Sequence, residues 1–313
     1  MLKIIHTYCI VENSRTMSQT SLTSCGKPLD LSTNRFGELR DSNDVLDDPS
    51  ALNDRMDDDG YLLLRGLLNV DEVLAAREEV FGRLAEVGEV DTSHPVTEAI
   101  STGTSSRSEL DDPGLFWKGV CEGPKLRKVT HSGQMMNFFN HFLVGKARVF
   151  DYLWLRVVQK GNSTGCHYDI VYMGRGTKRL FTSWTPIGEV PRTDGSLMVL
   201  ENSHRIDELV NDYGQIDVDR DQGRPGHFSQ NPPELAEQFD RRWMTTDFKA
   251  GDVLIFSMFT MHCSIDNASP MNRLRLSSDT RYQLASEPVD ERWNGPNPIA
   301  HGRGYGEKRS DVQ

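Results

Sequence analysis

The chain has 313 residues, 37% of them apolar and 26% charged, with a mean hydropathy of −0.53. That length can bury a full core in one large or two small domains, and the composition excludes collagen-like, fibrous-repeat and wholly disordered chains. Lys and Arg total 35 against 46 for Asp and Glu, a formal net charge of −11, so a phosphate backbone would be repelled and no nucleic acid partner is expected.

No stretch approaches the ~20 apolar residues of a membrane span, so no membrane partner is expected. Met1-Leu2-Lys3-Ile4-Ile5 is too short for the apolar region of a signal peptide. The cysteines Cys9, Cys25, Cys121, Cys166 and Cys263 are widely spaced and include no CxxC pair. This argues against a disulfide framework or a thiolate zinc site and for a reducing cytoplasm.

In chain order, residues 1–50 are rich in Ser, Thr, Asn and Asp without clear periodicity, and are expected to form a flexible N-terminal arm. Asp57-Asp58-Asp59-Gly60 is a turn signal that feeds an apolar strand from Tyr61 to Leu64. Asn69 precedes a helix from Val70 to Val87, in which Val73, Leu74, Arg77, Val80, Phe81 and Leu84 recur at helical spacing. Residues 91–108 form a polar loop, and helices are predicted near 109–121 and 132–144. From Tyr152 onward short β-rich runs take over: Tyr152 to Val158, Leu180 to Pro186, Leu197 to Leu200, Val253 to Met261 and Arg273 to Gln283. A polar insert, 205–246, is expected to carry short helices near 205–212 and 233–240. Helices first and antiparallel strands second predict an α+β chain whose second half is a double-sheet barrel.

His167-Tyr168-Asp169 sets an imidazole and a carboxylate at i and i+2, on one face of an extended chain. His262, closing the apolar run from Asp252 to Met261, is the best third ligand. Two histidines and a carboxylate on one face of an octahedron leave open positions, as in non-haem iron(II) oxygenases. A lone HxD or a lone strand-end histidine is more often ordinary structure; the combination carries the signal. Between Arg273 and Gln283, alternation puts Arg273, Arg275, Ser277, Asp279 and Arg281 on one face and Leu274, Leu276 and Tyr282 on the other. If the apolar face packs on the helices, the arginines look into the barrel, where a guanidinium needs an anionic partner.

The second half of the chain resembles the phytanoyl-CoA dioxygenase family of iron(II)- and 2-oxoglutarate-dependent oxygenases. The resemblance rests on His167-Tyr168-Asp169, Thr182-Ser183-Trp184-Thr185-Pro186, the segment from Asp194 to His204, His262-Cys263-Ser264 with Asn267, and the strand from Arg275 to Gln283. Asp59-Gly60-Tyr61 followed by a helix is similar too, so the resemblance spans about residues 57–285. It implies a double-stranded β-helix (jelly-roll, cupin-like) core over residues 51–285 with the N-terminal helices packed on one sheet. It implies Fe(II), 2-oxoglutarate and O2 as cofactor and cosubstrates, and His167, Asp169 and His262 as iron ligands.

The same resemblance implies an arginine for the distal carboxylate of 2-oxoglutarate. Counting forward from His262 reaches Arg273, and counting back from Arg281-Tyr282 reaches Arg275. Both share a face, and Arg275 is preferred because the loop Ser269-Pro270-Met271-Asn272 absorbs an insertion more easily than a strand does. Ser264 resembles the hydroxyl that supports that carboxylate, Trp184 resembles an aromatic lining the cosubstrate pocket, and Arg156 is placed facing the pocket. The carboxylate at Asp169 implies hydroxylation of a small molecule, with succinate and CO2 as co-products, rather than halogenation. A cupin-like metalloenzyme independent of 2-oxoglutarate and a non-catalytic ligand-binding relative are the alternatives. The basic cluster Arg175, Lys178 and Arg179 is either a solvated hairpin or a contact for an anionic substrate. The Pro- and Gly-rich tail, 286–313, either closes over the pocket as a lid or coats the surface.

Overall fold

The computed structural model describes residues 21–221, 223–302 and 304–306. Its first elements fall where an arm was expected. Strands β1 (Thr23–Ser24) and β2 (Lys27–Pro28) form a small hairpin, and β3 (Phe36–Glu38) joins a sheet. Residues 21–50 are therefore packed: Leu22, Ser24 and Leu39 are buried, and the amide of Asp266 donates to Thr23 O at 2.7 Å. Isolated apolar anchors in a polar segment leave no periodicity to read, which is why the sequence suggested an arm. Residues 1–20 of that expectation lie outside the described residues.

Helix α1 (Pro49–Asp59) is capped by Asp48, whose carboxylate accepts from Ser50 N and Ala51 N, and it ends at Gly60 with φ 78°. Strand β4 (Tyr61–Leu64) and helix α2 (Val70–Glu86) follow, the latter capped by Asn69 accepting from Glu72 N. Then come α3 (Pro113–Cys121), α4 (Pro124–His131), α5 (Gly133–Phe142), β5 (Ala147–Val149) and β6 (Trp154–Val158). The remaining elements are α6 (Ile170–Met173), β7 (Phe181–Pro186), β8 (Leu197–Leu200), α7 (Asp207–Asn211), α8 (Pro232–Gln238), β9 (Trp243–Thr245), β10 (Val253–Ser257), β11 (His262–Ser264) and β12 (Arg275–Leu284).

One sheet runs β4-β10-β7-β12-β5, with β6 also paired to β12; the second runs β11-β8-β9-β3. Period-two alternation decides what each face touches. On β4, Leu62 and Leu64 join the cluster formed with α1, α2, α4 and α5, while Tyr61 and Leu63 join residues of the second sheet. On β10, Val253 and Ile255 face the helices, whereas Leu254 and Phe256 face Leu197, Val199 and Met244 across the gap. Each such side chain, fully buried, contributes about 1.5–3 kcal/mol. Helices thus cover one face of the larger sheet, and the two sheets enclose the space between them.

The apolar run before His262 is not one strand. Strand β10 stops at Ser257, Thr260 Oγ1 donates to Gly60 O at 2.6 Å in the turn, and His262 opens β11 in the other sheet. Composition could not reveal this corner, because both sides of it are equally apolar. Among the described residues no helix is long and apolar enough to cross a membrane.

Candidate metal centre

The segment before α6 pairs with β11 as an antiparallel bridge between His167 and His262, whose amides donate to each other's carbonyls at 3.0 and 3.1 Å. Directly opposed residues present their side chains to the same face, and the two imidazole centroids lie 4.1 Å apart. Asp169 does not continue an extended chain, as i, i+2 spacing on a strand would have it; it opens the first turn of α6 with φ −70° and ψ −27°. That turn still brings Oδ1 to 3.7 Å from His167 Nε2 and 3.9 Å from His262 Nε2. All three residues are buried, with their ligand atoms within 4.8 Å of one another.

The surrounding groups fix which atoms remain available. His167 Nδ1 donates to Gly165 O at 2.8 Å and His262 Nδ1 donates to Thr260 O at 2.9 Å. A carbonyl only accepts, so each Nδ1 carries the proton and each Nε2 turns a lone pair to the centre. Asp169 Oδ2 accepts from Arg281 Nη2 at 2.9 Å and from Thr182 Oγ1, which leaves Oδ1 as the free ligand oxygen. Burial and the neighbouring His262 push the pKa of His167 down to about 3, and burial likewise lowers that of His262. Burial opposes ionisation of Asp169, but Arg281 and the two imidazoles outweigh it and hold the carboxyl well below its usual range. At neutral pH the centre presents two neutral imidazoles and one carboxylate.

Arg275 and Arg273 separate clearly. Arg275 is buried on β12 and shares a narrow compartment with His167, Trp184, Leu197, His262 and Asp279. Its Nη1 donates to Ser277 Oγ at 2.6 Å, its guanidinium carbon lies 5.9 Å from the Trp184 ring centroid, and its Nε is buried without a partner. Trp184 Nε1 is likewise buried and unpartnered. Arg273 precedes the strand, bridges Ile100, and lines a separate cleft with Arg77 and Glu98 that Arg275 also borders. Ser264, two residues past His262, is fully buried, and its Oγ accepts from Thr164 N at 2.9 Å. Arg156 donates through Nε to Asp279 Oδ2 at 2.5 Å and borders both this compartment and a larger cavity.

That cavity, about 360 Å³, opens on His167 and Asp169 and is walled by Trp154, Tyr172, Met173 and Arg281. His227 and Gln230 reach it from the polar insert and His301 from the C-terminal segment. These contacts had no signal in the sequence, since exposed polar loop residues resemble one another. Arg281, Thr182 and Asp279 were legible as members of the motifs, but not their partners. The basic cluster does not line the cavity: Arg175 pairs with Asp217 at 2.7 Å, Arg179 pairs with Glu287 at 3.1 Å, and Lys178 Nζ sits 6.0 Å from the Phe259 ring centroid. The charge of both arginines is spent on neighbouring carboxylates, which sequence could not place beside them.

Two histidines and one carboxylate, with one side of the set open, define a mononuclear non-haem iron site. The phytanoyl-CoA dioxygenase family model matches residues 56–274, so the chain belongs to the phytanoyl-CoA dioxygenase family. It is 27% identical over 268 residues to a 1-deoxypentalenic acid 11-beta-hydroxylase of Streptomyces exfoliatus, covering 81% of this chain and 88% of that one. A 1-deoxypentalenic acid 11-beta-hydroxylase of Streptomyces arenae is 26% identical over 266 residues, covering 81% and 88%. In fold it is similar to EctD from S. alaskensis, solved with 2-oxoglutarate and 5-hydroxyectoine, at a TM-score of 0.53 and 18% identity over 92% of this chain and 93% of that one. The protein is accordingly a non-haem enzyme that works with iron(II), 2-oxoglutarate and O2.

Iron(II) suits the donor set, and an oxyanion suits the two unpartnered donors, Arg275 Nε and Trp184 Nε1. When bound, the metal and its cosubstrates supply the oxidation. The chain itself holds the imidazole tautomers, pins Asp169, keeps bulk water away from a buried centre, and sets the cavity against the open side.

Proposed function

We propose that the enzyme hydroxylates a C–H bond of a small organic molecule on a double-stranded β-helix, releasing succinate and CO2 from 2-oxoglutarate. The observation that carries this reading is the juxtaposition of the His167, Asp169 and His262 ligand atoms with the buried, half-satisfied guanidinium of Arg275 beside them. In this reading Arg275 receives the distal carboxylate of 2-oxoglutarate, Ser264 supports it, and Trp184 walls the pocket. Arg273, which lines a separate cleft with Arg77 and Glu98 and does not border the narrow compartment, is not given that task. The retained carboxylate at Asp169 and the hydroxylases among the relatives support hydroxylation. In this reading the C-terminal tail, 286–313, serves as a lid: its His301 lines the cavity, and residues 303 and 307–313 lie outside the described residues.

The test is to supply iron(II) and 2-oxoglutarate aerobically with a panel of candidate small molecules and to measure succinate against oxidised product. One succinate per hydroxylated product is expected. Iron binding without succinate formation across the panel would instead favour a metalloprotein that does not use 2-oxoglutarate.

A further inference from the structure

The charged residues lining the two neighbouring compartments do not balance. Arg156, Asp169 and Arg281 border the cavity, and Arg156, Arg275 and Asp279 border the narrow compartment beside it. Counting histidines as neutral, three guanidiniums stand against two carboxylates. With iron(II) and the dianion 2-oxoglutarate in place, as the proposed function requires, their charges cancel and one positive charge is left over. A buried region of this kind favours one further anion, because an uncompensated charge away from water is costly.

Hydrogen-bond accounting locates the donors for it. Arg281 has committed Nη2 to Asp169 and Nη1 to the Asp279 carbonyl, and its guanidinium carbon stands 4.1 Å from the Trp154 ring centroid. Arg275 faces the narrow compartment and not the cavity. Arg156 donates only its Nε, to Asp279; among the described residues neither of its Nη atoms has a protein acceptor. Its side chain is 34% exposed and borders the metal cavity, the narrow compartment and a further cavity of about 660 Å³ shared with Arg107, Trp117 and Gln159, so its free edge stands where these spaces meet, beside the metal ligands. Arg281 Nε is also buried without a partner, so the unused donors are that Nε and the two Nη atoms of Arg156, of which those of Arg156 are the exposed ones.

We propose that the prime substrate carries a single anionic group, a carboxylate, received by the free Nη edge of Arg156 with Arg281 behind it. This refines the expectation of an anionic substrate and moves it from the Arg175, Lys178 and Arg179 hairpin to a residue that borders the metal cavity. It also assigns Arg156 to the substrate and not to 2-oxoglutarate. The cavity that would receive it measures about 360 Å³, and the anion must leave its oxidisable carbon facing the open side of the metal ligands.

The test reads binding, without turnover. Under anaerobic conditions the iron(II)–2-oxoglutarate absorption band of the full-length protein is titrated with monocarboxylic acids of aliphatic, aromatic and terpenoid skeleton, each paired with its primary carboxamide. Acids that perturb the band should bind roughly 10- to 100-fold more tightly than their amides, the range for a charge-assisted hydrogen bond. Arg156→Gln combined with Asp279→Asn, which leaves no buried carboxylate unpaired, should erase that preference while the band still forms; Arg156→Lys should retain part of it. Equal binding of acid and amide, no response to any acid, or an acid preference surviving the double substitution would each overturn the assignment. So would a double variant that loses 2-oxoglutarate, since Arg156 would then serve the cosubstrate. Failure of the wild-type band to form would instead remove the proposed function, and this inference with it.

Discussion

The metal centre depends on hydrogen bonds that single out one atom per ligand. Replacing His167 with Ala should abolish iron binding and succinate formation while circular dichroism stays native, since the imidazole packs against the site and not the core. Arg281 acts one step removed: Arg281→Met removes the donor 2.9 Å from Asp169 Oδ2 and leaves only Thr182 Oγ1 on that oxygen, and should weaken iron affinity by about 10- to 100-fold, the usual effect of losing a ligand's partner. Calorimetric titration with metal would show it. Because burial keeps His167 neutral and Arg281 keeps Asp169 ionised, metal binding near pH 7 should release almost no proton. Titrations in two buffers of different ionisation enthalpy should then give the same heat. For the cosubstrate, Arg275→Ala should weaken 2-oxoglutarate at least about tenfold, the loss expected for charged hydrogen bonds, with iron affinity preserved. Arg273→Ala should change it by less than about twofold, as substitutions away from the site do. A larger effect at Arg273 would reverse the assignment of the two arginines.

At the scale of elements, β12 links the helices to the centre. Its inward face carries Arg275, Asp279 and Arg281 to the two compartments, and its outward face sends Leu276 and Tyr282 into the helical cluster. This alternation is legible in the sequence alone, because a period of two needs only the order of residues. Residue order does not tell that β12 lies between β7 and both β5 and β6, which is how Arg156 comes opposite Ser277 and reaches Asp279. The C-terminal segment is anchored at Trp293. Trp293 is fully buried against Tyr152 and Trp154, with ring centroids at 5.2 and 4.6 Å. Trp293→Ala should cost about 3–5 kcal/mol, the range for a large aromatic lost from a core, measured by urea denaturation. If the segment also closes the cavity, the same variant should lose substrate-induced perturbation of the iron(II)–2-oxoglutarate band more than it loses 2-oxoglutarate.

Across the whole molecule, buried neutral histidines make stability depend on pH. The pKa of His131 is pushed down to about 3 by burial and by Arg127, and that of His167 falls similarly through burial and His262. In the unfolded chain both titrate near 6.5, so as pH falls below that value the unfolded state gains protons that the folded state refuses. The stabilisation from keeping them neutral is complete above about pH 6.5 and is lost progressively toward pH 3. Each contributes up to about 1.4 kcal/mol per pH unit in that window. The urea midpoint of the metal-free protein should therefore drop between pH 7 and pH 5, and His131→Gln should flatten the drop. A midpoint unchanged over that range would mean the histidines are less enclosed than their surroundings indicate.

By itself the sequence determined the chemistry and the periodicities. His167 and Asp169 stand two residues apart, the strand of alternating arginines follows His262, and a helix precedes the strands; each is a local fact, set by residue type and spacing. Tertiary structure decided whatever joins residues far apart in the chain. It closed the corner between Ser257 and His262, packed residues 21–50 onto the fold, and brought Arg281 to Asp169 across 112 positions. It also neutralised Arg175 and Arg179 with Asp217 and Glu287, and carried His301 to the cavity. The division has one physical cause: alternation and capping act within a few residues, whereas the partner of a buried charge is chosen by sheet order and packing.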